Sequence, residues 1–186
     1  MPDLVDLVRR HSDLADVDLD WLHLLVGEWQ LLADLSFADL LLWVRTRDQA
    51  GTPGFVAGAQ IRPVTSQTAY VEDKVGQVIA EGKRALVDRA WREGRIVREG
   101  DPEWGEGIPV REETIPVRHD GRVIAVVARH TNLATARTPS RLELTYLASA
   151  ADLATMVCEG RFPFPGGSAD SDSSPRAGDG LMRLDA

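Results

Sequence analysis

The chain has 186 residues, a formal net charge of −8 and a single cysteine. Its length is about that of one domain, and its 44% hydrophobic and 27% charged residues are ordinary for a soluble globular protein. The acidic balance argues against direct binding of nucleic acid, and one thiol excludes an internal disulfide and a multi-thiolate zinc site. Because the sequence has neither a membrane-spanning apolar run nor a signal peptide, it predicts a cytoplasmic protein that does not contact a membrane.

Two helical patterns precede the first strand pattern. Residues 3–11 predict a short amphipathic helix, and residues 19–35 predict one long helix. The apolar residues of the long helix cover more than one narrow stripe, which favours contact with its own domain on one side and with a partner helix on the other. The short apolar run at 39–47 then predicts a buried strand.

The middle of the chain has a weaker pattern. Residues 55–63 predict a second strand antiparallel to the first, whereas residues 64–81 have a mixed pattern that predicts no element. Residues 82–94 predict a helix that ends at Gly94. A short segment at 95–97 and a loop rich in Gly and Pro follow.

The C-terminal half contains the strongest local signal. The pair Asp120-Gly121 separates apolar runs at 112–118 and 122–129, which predicts a β-hairpin. Its second strand is almost entirely apolar, so we expect a central strand that is covered on both faces. Residues 140–161 predict the last helix.

The element order predicts an α+β fold with a central antiparallel sheet and with the N- and C-terminal helices packed together on one side. We expect a domain at 1–161, followed by a flexible linker at 162–180 that is rich in Gly, Ser and Pro. Residues 181–186 begin an apolar pattern and stop. The sequence is therefore expected to be a piece of a longer protein.

Two runs of residues carry a resemblance to a known family. The run GEWQLLADLSFAD at 27–39 resembles the N-terminal region of actinobacterial sensor histidine kinases of the PdtaS type, and SSPRAGDGLMRL at 173–184 is similar to their connection into a following PAS domain. The resemblance implies a GAF-like sensor domain at 1–161 and a truncated start of a PAS-like domain at 181–186. PAS itself is the competing fold for the first domain.

The function that this resemblance implies is that of a sensory and dimerisation domain in a cytoplasmic two-component sensor histidine kinase. The full-length kinase would use ATP and Mg to phosphorylate a histidine and then a response regulator. For the present chain we expect no catalysis and no cofactor. A ligand-free scaffold or dimerisation domain is an alternative, and a small-molecule enzyme of GAF-like fold is another.

The enzyme alternative is disfavoured because the sequence has no known catalytic motif. Cys158 is interpreted as a small buried hydrophobe. His119 and His130 could meet across the hairpin and bind a metal with Glu113 or Asp120, but a surface cross-strand contact is the more common outcome. We therefore expect no metal site.

Basic and aromatic residues mark a candidate pocket for a nucleotide-like ligand. Arginine forks suit phosphate, and tryptophans beside them could stack on a purine ring, although an ion-paired helix face and a lid over the core are the competing interpretations. The resemblance places the pocket between the sheet and its crossover loops, but the crossover lacks the cysteine of bilin-binding members and the histidine of haem-binding ones. The candidate ligand-binding residues are Gln60, Arg62, Arg89, Trp91, Arg92 and Trp104.

A homodimer is expected through the terminal helices, where small and apolar residues would allow a second helix to approach. Such a bundle would transmit a signal through the linker as a shift in populations. The candidate dimer and signalling residues are Leu22, Leu25 and Trp29 in the first helix, and Leu147, Ala151 and Ala154 in the last.

Overall fold

The structure is a computed structural model that describes residues 4–47, 51–98, 103–105 (backbone only), 107–134, 136–166 and 176–177. Its helices are α1 (Leu4–His11), α2 (Asp16–Glu28), α3 (Gln30–Ser36), α4 (Ala85–Glu93) and α5 (Arg141–Glu159). Its strands are β1 (Asp39–Arg47), β2 (Pro53–Ile61), β3 (Val78–Ala80), β4 (Val97–Arg98), β5 (Glu103–Gly105), β6 (Ile108–His119) and β7 (Arg122–Asn132).

The strands form one antiparallel sheet in the order β3-β2-β1-β7-β6-β4, and β5 also pairs with β6. Strand β7 lies between β1 and β6, and its residues from Ile124 to Ala128 are almost completely buried. This confirms the predicted central strand that is covered on both faces. The sequence predicted no strand in the segments that form the short strands β3, β4 and β5. These strands are defined by pairing with a neighbouring strand and have no clear apolar pattern of their own.

The sheet separates two apolar cores. Alternate residues of β1 point to opposite faces, so that Leu40, Leu42 and Val44 join one core whereas Leu41 and Trp43 join the other. The first core is covered by α1, α2, α3 and α5, and we call this the helical face. The second is covered by α4 and the crossover between β2 and β4, and we call this the α4 face. The predicted α+β fold, with the terminal helices on one side, is confirmed.

The single long helix predicted at 19–35 is wrong. Helix α2 ends at Glu28 and α3 begins at Gln30, with Trp29 at the junction. Gly27 weakens the helix just before this junction, and the indole of Trp29 is buried in the core of the helical face. Trp29 keeps near-helical dihedrals, with φ −77° and ψ −6°, and the apolar periodicity continues unchanged through this short break.

Local signals set the other boundaries well. Asp120 and Gly121 both have positive φ, of 46° and 76°, as a two-residue hairpin turn requires. Ser140 caps α5 in a capping box, in which its Oγ accepts from the Glu143 amide at 3.3 Å and the Glu143 carboxylate accepts from the Ser140 amide at 2.7 Å. Gly94 ends α4 in the left-handed region, as predicted.

The predicted proximity of the two hairpin histidines is wrong. His119 is paired with Arg122 beside the turn, whereas His130 is paired with Glu112 near the other end of the hairpin. Within the described ranges, no three His, Cys, Asp or Glu side chains are grouped so that they could hold a metal ion. None of the helices that the structure describes is long and apolar enough to cross a membrane.

The predicted domain boundaries are described only in part. Residues 167–175 and 178–186, which include most of the predicted linker and the whole predicted PAS-like start, are outside the described residues. Phe162 packs against the core of the helical face, and Ala177 is buried in it. The boundaries themselves stay a prediction.

Candidate ligand-facing site

Two buried aspartates hold the start of the crossover against the sheet. Asp34, in α3, accepts hydrogen bonds from the Gln30 side chain and from the Val64 amide, both at 2.9 Å. Asp39, at the start of β1, accepts from Thr68 Oγ1 at 2.5 Å and from the Ala69 amide at 2.6 Å. Both belong to the run at 27–39, so that this run has a structural role in positioning the crossover.

A buried polar cluster lies on the α4 face. Arg84, just before α4, donates to Oε2 of Glu112 at 3.0 Å, and its Nη2 lies 3.0 Å from Nε2 of His130. The ring of Tyr70 meets the His130 ring edge-on at 4.9 Å, and the Arg84 guanidinium lies over the Trp43 ring at 5.6 Å. We call these five residues, Trp43, Tyr70, Arg84, Glu112 and His130, the Arg84 cluster.

Strand register brings this cluster together. Glu112 is paired with His130, and His130 is paired on its other side with Asp39, so the three side chains form a row across β6, β7 and β1. Helix α4 adds Arg84 at its N-cap position, above this row. The row ends at the crossover, where Asp39 holds Thr68 and Ala69.

Several polar atoms of the cluster are buried without a hydrogen-bond partner among the described residues. They are Trp43 Nε1, Arg84 Nε, Glu112 Oε1 and His130 Nδ1. Trp43 Nε1 and Arg84 Nε are donors, and Glu112 Oε1 is an acceptor. Two donors and one acceptor of the cluster are therefore unsatisfied among the described residues, and a polar ligand or ordered water would satisfy them.

The charges in the cluster shift each other's protonation. Burial raises the pKa of Glu112, but its contacts with His130 and Arg84 lower this pKa by a larger amount, to about 2. Burial lowers the pKa of Arg84, and the attraction of Glu112 and Tyr70 more than offsets this, so the net shift is upward. Burial also raises the pKa of Tyr70. Glu112 is therefore a carboxylate and Arg84 a cation at neutral pH.

The predicted ligand-binding residues lie around the α4 face, and those with described side chains each contact a different part of the chain. Gln60 accepts from the Lys74 amide at 2.8 Å, and Arg62 donates to three carbonyls of the crossover at 3.1 Å. Arg89 pairs with Glu93 on α4, and Arg92 donates to the Asp88 carbonyl. Their ligand-binding role stays a prediction.

The two predicted tryptophans are placed differently. Trp91 meets the Phe55 ring edge-on at 6.0 Å, with the guanidinium of Arg45 over its ring at 5.8 Å. This contact places it against the core of the α4 face. Trp104 lies in β5, and its side chain is outside the described part of the chain.

The predicted dimer residues fall into two groups. Leu22, Leu25, Trp29 and Ala154 are at most 1% exposed and pack within the chain's own core. Leu147, by contrast, is 36% exposed, and Ala151 is half-buried. The surface left for a partner helix therefore lies on α5, while the dimer itself stays a prediction.

The sequence reasoning missed the Arg84 cluster as a unit. The sequence pattern does not single out Arg84 among the basic residues of its segment, and it predicts that His130 meets His119 instead. Alternation along β6 is the signal that could have found Glu112, because Val110, Glu112 and Thr114 share the face that meets α4. Its partner on β7 then follows from the hairpin register.

The fold and the two differently covered faces define a GAF-type sensor domain. A family model described as the GAF domain of histidine kinase PdtaS matches residues 4–150, and the chain belongs to this family. The relatives are sensor histidine kinases, which work with response regulators in signal transduction.

Individual relatives agree with this assignment. The sensor histidine kinase PdtaS of Mycolicibacterium smegmatis is 45% identical over 188 residues, covering 99% of this chain and 37% of that protein. The protein of the same name from Mycobacterium tuberculosis (strain H37Rv) is 44% identical over 192 residues, with coverage of 100% and 37%. A solved structure described as the sensor region of a sensor histidine kinase has a TM-score of 0.79 and 42% identity, covering 99% of this chain and 62% of that one. The chain thus spans little more than a third of the curated relatives' length.

Proposed function

We propose that the chain is the sensory and dimerisation domain of a cytoplasmic two-component histidine kinase. In the full-length protein this domain regulates autophosphorylation and phosphotransfer to a response regulator. The autophosphorylation uses ATP and Mg. The observation that carries this proposal is the match of residues 4–150 to the GAF domain of histidine kinase PdtaS. The chain itself carries out no catalysis.

The ligand side of the domain is the α4 face. A nucleotide-like molecule with a phosphate group is the proposed ligand, and the unsatisfied polar atoms of the Arg84 cluster support a polar ligand there. Gln60, Arg62, Arg89, Trp91, Arg92 and Trp104 surround this face in the proposal. Charge-assisted hydrogen bonds from arginines to phosphate would supply much of the affinity.

Arg118 offers a route from the ligand side to the output helix. Its guanidinium donates to the carbonyls of Gly94, at the end of α4, and Cys158, in the last turn of α5, at 2.9 and 3.0 Å. It also donates to the carbonyl of Gly121, in the hairpin turn, at 2.9 Å. A shift of α4 therefore displaces a side chain that is bonded to α5, and a ligand with different affinities for the two arrangements changes their populations.

A ligand-free scaffold is the second candidate function. It is favoured by the filling of the α4 face with the chain's own aromatic side chains, since Trp43, Phe55 and Tyr70 are all buried there. In that case the domain would hold two kinases together without responding to a small molecule.

The test uses the native full-length kinase and radiolabelled ATP. Autophosphorylation is measured with and without residues 1–160 and with a panel of nucleotides. A labelling rate that changes on deletion and with one nucleotide supports a sensor, whereas a rate changed by neither supports the scaffold. Absence of label under all conditions would overturn the kinase assignment.

The route through Arg118 is tested in the same assay. The variant Arg118→Gln should still bind the active nucleotide but lose most of the labelling response. Arg161→Gln is the matched control, because Arg161 is exposed and pairs with Glu159, two residues away. An unchanged response in Arg118→Gln would show that the signal takes another route.

A further inference from the structure

A cleft of about 900 Å³ lies on the helical face, beside α5. Its floor is formed by side chains of β6 and β7, and α5, the end of α3 and residues 65–67 of the crossover form its walls. The volume is within the range of sites that hold small organic molecules. Arg111, Glu113, Arg129 and Thr131 on its floor face away from the Arg84 cluster, and Glu112 is the member of that cluster that also lines the cleft.

The floor of the cleft carries an excess of positive charge. Glu113 forms ion pairs with both Arg98 and Arg129, so that two guanidinium groups share one carboxylate. Strand register pairs Glu113 with Arg129 and Arg111 with Thr131, which places Arg111 next to this group on the same face. Glu112 also lines the cleft but is paired with Arg84. Among the described residues of the floor, three arginines therefore accompany one carboxylate that is not paired elsewhere, and an anion would balance the excess.

Burial strengthens this preference for an anion. The side chain of Arg129 is only 14% exposed and that of Glu113 only 7%. Burial lowers the pKa of Arg129 and the neighbouring charge of Arg98 adds to the effect, bringing it to about 10. Arg129 is thus still charged at neutral pH, in a place where the charge has little solvent to stabilise it, and an incoming anion would do so.

The walls of the cleft are largely apolar. Leu147 and Ala151, four residues apart, lie on one side of α5 toward the cleft, and Phe37 lines it from the end of α3. Phe37 has a φ of 52°, which is costly for a bulky residue, and its ring stacks on Tyr146 of α5 at 6.3 Å. This φ is that of the left-handed residue that ends α3, whose amide donates to the carbonyls of Ala33 and Asp34, and the ring of Phe37 lines the cleft.

At the mouth of the cleft, Arg137 and Glu143 neutralise each other. Their two parallel contacts, at 2.6 and 3.1 Å, form a bidentate pair. This pair adds no net charge and leaves the excess on the floor.

We propose that this cleft binds a small organic anion, with a carboxylate or phosphate head on Arg98, Arg111 and Arg129 and an apolar or aromatic body against Phe37 and Leu147. The site goes beyond the proposed function, because it lies on the other face and directly contacts the output helix α5. Its test measures binding to this chain without a kinase readout, so that its failure is distinct from failure of the kinase proposal.

The experiment titrates the 186-residue chain with four probes and follows backbone amide shifts by NMR. The probes are phenyl phosphate, benzoate, inorganic phosphate and benzyl alcohol. Saturable shifts at Arg111, Thr131 and Leu147 are expected with phenyl phosphate or benzoate, and the stronger of the two identifies the head group. Inorganic phosphate and benzyl alcohol should each bind about tenfold more weakly, because each lacks one half of the interaction.

Two variants separate this site from nonspecific association. Arg111→Ala should weaken binding of the preferred probe about fivefold with an unchanged melting temperature, since Arg111 is exposed. Arg10→Ala, which removes an exposed arginine from α1, is the control and should bind normally. The proposal is overturned if neither aromatic anion gives saturable shifts up to about 10 mM, or if Arg111→Ala and Arg10→Ala bind equally well.

Discussion

Glu112 and Arg84 bring two charges into the core of the α4 face. The carboxylate is 7% exposed and the guanidinium 26% exposed, and they lie 3.0 Å apart. Removing one charge of such a pair leaves the other without its partner in a poorly solvated place. The low pKa of Glu112, about 2, expresses how strongly the folded protein favours the charged form.

We expect Glu112→Gln to lower the free energy of unfolding at pH 7 by roughly 3 kcal/mol, which corresponds to the shift of the Glu112 pKa from 4.5 to about 2. Because the folded pKa is lower than the unfolded one, this contribution is fully present above about pH 4.5 and is lost as the pH falls toward 2. The difference between the variant and the unsubstituted protein should therefore shrink over this interval. Urea unfolding at several pH values between 7 and 2.5 measures it.

Glu72→Gln is the control for this measurement. Its carboxylate is 78% exposed and contacts Lys74 at 3.4 Å, so its loss should change stability by less than about 0.5 kcal/mol at every pH. Parallel pH profiles for Glu112→Gln and the unsubstituted protein would contradict the assigned role of Glu112.

At the scale of elements, the crossover is positioned by the helix and strand that precede it. Asp34 and Asp39 lie five residues apart on α3 and β1, and both accept hydrogen bonds from residues 64–69. Each carboxylate satisfies backbone amides of a segment that forms no regular structure of its own. Charged acceptors make such bonds stronger than neutral ones.

We expect Asp39→Asn to loosen residues 64–70 while the sheet remains intact. The amide keeps the size of the carboxylate but has no charge and one acceptor oxygen instead of two, so that only one of Thr68 and Ala69 can still donate to it. Stability should fall by about 1 to 3 kcal/mol, and hydrogen exchange at Ala69 and Tyr70 should become faster.

The control for this change is Asp73→Asn. Asp73 is exposed and accepts from the Val75 amide within its own turn, at 2.9 Å, so its substitution should leave exchange at Ala69 unaltered. Unchanged exchange in Asp39→Asn would mean that the crossover is held by other contacts.

At the scale of the whole molecule, the two faces of the sheet have different roles in the proposal. The α4 face is closed by α4 and the crossover, whereas α5 on the helical face leaves apolar side chains uncovered. Leu144 is 55% exposed and Leu142 is 60% exposed on this helix, and neither lines the cleft. This exposed stretch is the surface on which the proposed homodimer depends.

We expect the chain to be a dimer in solution and Leu144→Glu to convert it to a monomer, because a charge on this surface cannot be buried in the interface. Sedimentation or light scattering measures the mass. Val17→Glu is the matched control, since Val17 is 59% exposed but lies on α2, and it should remain a dimer. Leu22 is unsuitable for this test, because it is fully buried and a charge there would unfold the domain.

A monomeric unsubstituted chain, or a dimeric Leu144→Glu variant, would remove α5 as the interface. Circular dichroism of each variant confirms that the domain is still folded, so that a change in mass reports on association alone.

The sequence by itself determined those features that depend on neighbouring residues. Asp120-Gly121 specifies the hairpin turn, Ser140 with Glu143 specifies the start of α5, and the apolar run of β7 specifies a strand with both faces covered. The run at 27–39 also indicated the family. These signals are local, because turns, caps and apolar runs act within a few residues.

Only the tertiary structure decided which side chains meet. The adjacent residues Glu112 and Glu113 look equivalent in sequence, yet strand alternation directs one to Arg84 on the α4 face and the other to Arg129 on the helical face. The break at Trp29 and the separation of His119 from His130 likewise follow from packing and register between distant segments. The partner of a buried charge is set by contacts across the sheet, which local periodicity does not encode.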